Sequence, residues 1–227
     1  MKAYILKIDS PISNEYAEAC SLSCDTVGLD WTYVDGFQNM SGHVALGKCG
    51  IPTFKNAPYQ FIERPTAQQK AMCATAGHFK IWKMIAEGKD ESAVILEHDA
   101  LMLQPITMKI PDNNIVVLGY KLEDTSKYDH KAAGTPKEII PLLGHEGAHA
   151  YAITKNTAQI LLNEVVQRGV RSAIDNDYFI KKQRITQVPL SIMSPTPAIG
   201  WLRKSTIWAG SAARNYKFIP SFQRFYK

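Results

Sequence analysis

Glu97 and Asp99 are separated by one residue, His98, and follow directly on the apolar run Ala93-Val94-Ile95-Leu96. A short apolar run rich in β-branched residues reads as a strand buried on both faces, as in a parallel sheet. Side chains alternate along a strand, so Glu97 and Asp99 are expected on one side and His98 on the other. In open α/β sheets ligands bind beyond the carboxyl ends of the strands. Two acids placed there can hold a hard divalent cation, Mg2+ or Mn2+, which prefers oxygen ligands. The same residues also describe a strand end whose acids are merely solvated.

A second acidic pair, Asp175 and Asp177, flanks Asn176. It reads as a turn or helix cap, or as a general base working beside the first pair. His145-Glu146-Gly147-Ala148-His149 fits the zinc-protease spacing, which needs both histidines on one helix face. Gly144 and Gly147 disfavour a helix there, and Ala150 to Ile153 reads as a strand, so no peptidase is expected. His78 falls within a helical pattern, either as a satisfied core histidine or as a site residue, and Trp82 is most simply core.

Regular elements must position these groups. Tyr4 to Ile8 and Trp31 to Val34 read as strands, with Ser13 to Cys24 a helix between them. Residues 36 to 64 read as irregular. A helix is expected from Pro65-Thr66 to just before Gly88, with Ala74, Gly77, Ile81 and Ile85 along one face. Leu101 to Ile110 reads as extended, Ile115 to Leu118 as a strand, and residues 121 to 140 as a long surface loop. Ala148 to Ile153 reads as a strand and Asn156 to Arg168 as an amphipathic helix ended by Gly169. Strands alternating with helices imply an α/β fold with a mostly parallel central sheet flanked by helices.

The 227 residues, 45% of them hydrophobic, suffice for one large domain spanning 1 to 227. No apolar run is long enough to span a bilayer. The start, interrupted by Lys7 and Asp9, does not resemble a signal peptide. Cys20, Cys24, Cys49 and Cys73 lack the spacing of a zinc site and fit reduced thiols in a cytoplasmic protein. The net charge is +5, and no acidic residue follows Asp177. Residues 181 to 227 are basic and rich in aromatics, Arg203, Lys204, Trp201 and Trp208 among them. Such a segment could meet nucleic acid, an anionic membrane surface or the phosphates of a small ligand. Its aromatic content favours packing on the domain over a free nucleic-acid arm.

The order and spacing of several stretches resemble glycosyltransferase family 25, which includes lipooligosaccharide and collagen galactosyltransferases. The matching pieces are Tyr4 to Ile8, Val34-Asp35-Gly36, His78 with Ile81-Trp82-Lys83, and Val94 to Asp99. Val116 to Gly119, Gly147 to Tyr151, Asp175 to Asp177 and Ser205-Thr206-Ile207 complete the series. The family's acidic motif is usually Glu-Asp-Asp, and here His98 takes the middle position.

The resemblance implies a GT-A fold and inverting transfer of a hexose, galactose or glucose, from a nucleoside diphosphate sugar, a UDP-sugar above all. The acceptor would be a hydroxyl on a glycan, lipid-glycan or protein, as in lipopolysaccharide biosynthesis. Asp99 and Glu97 would hold Mn2+ or Mg2+. Glu97, Asp35, His78, His149, Arg203 and Lys204 would contact the donor, and Asp175 or Asp177 would act as base. A non-catalytic nucleotide- or glycan-binding relative and a nucleic-acid-binding protein are the alternatives.

Overall fold

The structure, a computed structural model, describes residues 1–52, 65–120, 137–139, 148–170, 174 and 184–193. Strand β1 (Lys2–Lys7) leads into helix α1 (Pro11–Thr26), and β2 (Trp31–Asp35) follows. Helices α2 (Gly42–Lys48) and α3 (Pro65–Glu87) precede β3 (Ser92–Glu97), β4 (Ala100–Met102) and β5 (Asn114–Tyr120). Then come β6 (Lys137–Ile139), β7 (Ala150–Thr154), α4 (Lys155–Arg168) and β8 (Arg184–Met193).

The strands form one sheet in the order β2-β1-β3-β7-β5-β8-β4, with β6 also on β8. The parallel pairing expected of an α/β protein holds at β2-β1-β3 and between β5 and β8. Strand β7 runs antiparallel between β3 and β5, and β4 and β6 run antiparallel to β8.

Both faces of the sheet are covered. Ala3, Ile5, Val94, Leu96, Val116 and Ala152 pack with Ala17, Cys20 and Cys24 of α1. Leu6, Ala93, Ile95, Val117, Tyr151 and Ile153 pack on the opposite face with α3 and α4. Burial on both sides explains why Ala93 to Leu96 show no polar alternation, each being wholly inaccessible.

Capping sets the helix starts. The hydroxyl of Ser10 accepts from Ser13 N at 3.2 Å, and Pro11 opens α1. Thr154 does the same for α4, accepting from Thr157 N at 3.1 Å.

Two local expectations need correction. Residues 36 to 64 contain α2, seven residues capped by Ser41 and packed on α3. Its two glycines and short length leave no amphipathic period to detect, and burial of Ala45 and Leu46 holds it. The stretch 121 to 140 is not all loop, because Lys137–Ile139 pairs with β8. The extended reading of Leu101 to Ile110 is met by strand only as far as Met102. No helix of the described residues is long and apolar enough to cross a membrane.

Helix α3 lies close on β1. A Cβ at Gly77 would meet Leu6 Cδ1 at 2.9 Å and Cδ2 at 3.0 Å. Leu6 is buried and has little room to turn away. Gly77→Val should therefore destabilise the fold by about 1–3 kcal/mol through overpacking. Urea unfolding is the check, and a midpoint equal to the parent's would show that the helix shifts freely.

Candidate functional site

The parallel register brings the carboxyl ends of β2, β1 and β3 to one edge. Lys7 lies opposite Asp35, and Leu6 opposite Glu97. The chain is tied down beyond the strands: Gly36 N donates to Lys7 O at 2.7 Å, and His98 N donates to Leu6 O at 2.9 Å. Because β7 is antiparallel to β3, its beginning reaches the same edge. Glu97 N donates to His149 O at 2.8 Å. Strand direction thus delivers His149 to Glu97 from far along the sequence.

Glu97 stands on the α3 face, as its parity with Ala93 and Ile95 requires. There its Oε1 accepts from His78 Nε2 at 3.2 Å. His78 is completely buried, while the Glu97 side chain keeps 28% of its exposure. On the other side of the imidazole, Nδ1 lies 2.9 Å from the Tyr151 hydroxyl. The same hydroxyl accepts from the indole Nε1–H of Trp82 at 2.8 Å. Four side chains from α3, β3 and β7 therefore form one hydrogen-bonded line from the core to the strand end.

His98 faces the other way and stacks on Tyr16 of α1, with ring centroids 6.0 Å apart. The expected opposition of Glu97 and His98 is what the contacts show. The strand ends at Glu97, so alternation does not carry on to Asp99, which lies in the turn before β4. Asp99 is nevertheless buried and electrostatically close to Glu97 and to Cys20 of α1.

These neighbours set the protonation of Glu97. Burial pushes its carboxyl up, and the charge of Asp99 adds to that. The hydrogen bond from His78, with electrostatic contributions from the His78 and His149 imidazoles, outweighs both and holds it below the ordinary value. A carboxylate depressed in the folded state contributes stability at pH values above its unfolded value of about 4.3. That contribution is lost as pH falls through the folded value. Glu97→Gln should therefore flatten the acid limb of stability measured by denaturant unfolding between neutral pH and about 3. Superimposable limbs for parent and variant would contradict it.

Asp35 sits at the rim, with its side chain 79% exposed and 3.6 Å from Lys7 Nζ. Its carbonyl accepts from Lys80 Nζ at 3.0 Å. It lies two strands from Glu97, roughly 10 Å across the sheet. Structure thus brings Glu97, Asp99, His78 and His149 together, with Asp35 on the same edge. Asp175, Asp177, Arg203, Lys204 and His145 lie outside the described residues. Of the segment 181 to 227, Arg184–Met193 is described and forms β8 inside the sheet.

Among the described residues no three His, Cys, Asp or Glu side chains cluster as a ready metal cage. A hard cation needs less from the protein when substrate phosphates supply oxygens, and one or two carboxylates then suffice. Glu97 and Asp99 fit that demand. Their charges oppose one another, an opposition a divalent cation relieves.

Tyr151 and Trp82 are the members of this site not singled out from sequence as acting there. The available signal was two polar-tipped aromatics and a histidine in otherwise apolar surroundings, each of which must find a partner when buried.

No protein-family model matches the sequence, and no curated protein matches it. Several solved structures resemble it. Galactosyltransferase LgtC, in complex with donor and acceptor sugar analogues, is 12% identical with a TM-score of 0.46, over 99% of each chain. The inositol-1-phosphate CTP transferase of T. maritima is 8% identical with a TM-score of 0.39, over 87% of this chain and 91% of its own. A point mutant of Drosophila β-1,4-galactosyltransferase 7, in complex with manganese, UDP-Gal and xylobiose, is 7% identical with a TM-score of 0.41, over all of this chain and 80% of its own.

Proposed function

We propose that the chain is a glycosyltransferase of GT-A type, moving a hexose from a nucleoside diphosphate sugar, a UDP-sugar above all, to a hydroxyl acceptor. The observation that carries this reading is the pairing of Glu97 with buried Asp99 at the carboxyl end of β3, one acid fixed by His78. The sequence resemblance to glycosyltransferase family 25 supports the sugar and the inverting course. The whole chain, 1 to 227, would act as one domain, with 181 to 227 closing the donor site.

Two difficulties face such a transfer. The departing diphosphate accumulates negative charge, and an acceptor hydroxyl is a weak nucleophile. A Mn2+ or Mg2+ ion held by Asp99 and Glu97, when bound, would supply the positive charge the diphosphate needs. Arg203 and Lys204 would share that task, while Asp35, His78 and His149 would line or support the donor pocket. The base must face the anomeric carbon from the side away from the diphosphate. Glu97 and Asp99, on the leaving-group side, are poorly placed for it, so the role goes to Asp175, with Asp177 its neighbour in reserve.

The test is a panel of nucleotide sugars with Mn2+, Mg2+ or chelator, read by thermal shift and by release of nucleoside diphosphate. A metal-dependent shift with one UDP-sugar, and turnover when a glycan acceptor is added, is the expected result. A donor that shifts the melt but never turns over would instead indicate a binding protein. No response to any donor, together with steeply salt-dependent binding to DNA or RNA, would favour the nucleic-acid reading.

A further inference from the structure

We propose that Trp82 and Tyr151 are positioning residues that fix the tautomer and ring orientation of His78, and through it the carboxylate oxygen that Glu97 offers to a ligand. The inference rests on the direction each group can take in the line Trp82–Tyr151–His78–Glu97. An indole N–H only donates, so the Tyr151 oxygen is the acceptor of the 2.8 Å bond. A carboxylate only accepts, so His78 Nε2 must carry the hydrogen of the 3.2 Å bond. A neutral imidazole with Nε2–H has a bare Nδ1, and the hydroxyl 2.9 Å away fills it by donating its own hydrogen. Both ends of the line therefore demand the same polarity. The reverse order would set a bare Nε2 against a carboxylate, and an imidazolium would have Nδ1 donate to a Tyr151 oxygen that already accepts from the indole.

Burial makes this polarity costly to break. His78, Trp82 and Tyr151 are all fully inaccessible, so no solvent replaces a missing partner. With Oε1 occupied by His78, the other oxygen of Glu97 is the one left to the part of the side chain that remains exposed. A ring held at both nitrogens cannot flip, so that oxygen keeps one direction. A preformed acceptor loses less entropy when it meets a ligand hydroxyl or cation. The last step, from a fixed Glu97 to donor binding, rests on the transferase reading, and the tautomer itself does not.

The experiment uses the full chain labelled with 15N and no ligand. Long-range 1H–15N spectra report which nitrogen of each of the six histidines is protonated. His78 is assigned by its absence in His78→Gln. The expected result is a single form with Nε2 protonated and Nδ1 bare. Tyr151→Phe keeps the ring and removes the hydroxyl, and should give a second ring form or exchange broadening at His78. Affinity for UDP with Mn2+ should fall at least about tenfold, the scale seen when outer partners of a site are removed. A parent protein with Nδ1 protonated, or with both forms, overturns the proposal even if Tyr151→Phe fails to fold. A Tyr151→Phe protein with the parent spectrum and parent affinity overturns it as well. If the parent binds no nucleotide yet shows the single Nε2–H form, the transferase reading fails and the assignment of His78 stands.

Discussion

Asp99→Asn is expected to abolish the cation dependence of UDP binding and to lower any sugar transfer by about 10²–10³-fold, the scale of losing one preorganised electrostatic partner. The substitution keeps the size of the side chain and removes its charge. In the unliganded protein that charge has two unfavourable neighbours among the described groups. It opposes Glu97 and, after burial and the Cys24 hydrogen bond, adds to the push that raises the Cys20 thiol. The metal-free variant should stay folded, while the stabilisation by Mn2+ with UDP disappears. A folded variant without that stabilisation separates loss of a ligand from loss of structure. His98→Asp is the control. Its side chain lies on the α1 face against Tyr16, so the cation response should survive. Calorimetry with and without chelator decides the matter, and an Asp99→Asn protein with the parent's metal dependence would rule out this carboxylate as the cation's ligand.

The geometry behind that expectation was only partly legible in the sequence. The run Ala93 to Leu96 identified β3 because burial on both faces leaves a continuous apolar signature. Helix α3 was equally plain from Pro65 at its start and Gly88 beyond its end; of the stripe its spacing implied, Gly77, Ile81 and Ile85 are buried and Ala74 is half-buried. Opposition of Glu97 and His98 followed from strand alternation. The same rule does not reach Asp99, because the strand stops at Glu97 and alternation says nothing about a turn. What no local pattern carries is strand direction. Ala150 to Thr154 reads as a strand either way, yet only the antiparallel course next to β3 sets Tyr151 opposite Ile95 and His149 beside Glu97. Without that pairing, Trp82 and Tyr151 are two core aromatics, and His78 has no visible reason to be buried.

Trp82→Ala should be severely damaging to the fold. Among the described residues Trp82 heads the fully buried side chains in size. Truncating a buried tryptophan to alanine costs about 3–5 kcal/mol through lost burial and the cavity left behind. Here a second loss follows, because the Tyr151 oxygen gives up the indole N–H in a place water does not reach. One buried hydrogen bond lost in this way costs roughly 0.5–1.5 kcal/mol more. Together these approach the whole stability of an ordinary domain, about 5–15 kcal/mol. Trp82→Phe separates the two contributions, since it fills most of the volume and removes the same hydrogen bond. It should cost less than the alanine variant. Combined with Tyr151→Phe it should cost less than the two single changes added together, because both remove one shared bond. Guanidinium unfolding of the parent and the four variants gives the comparison. Strict additivity in the double variant, or a Trp82→Ala protein with the parent's midpoint, would mean that the indole contributes volume without its hydrogen bond, or neither.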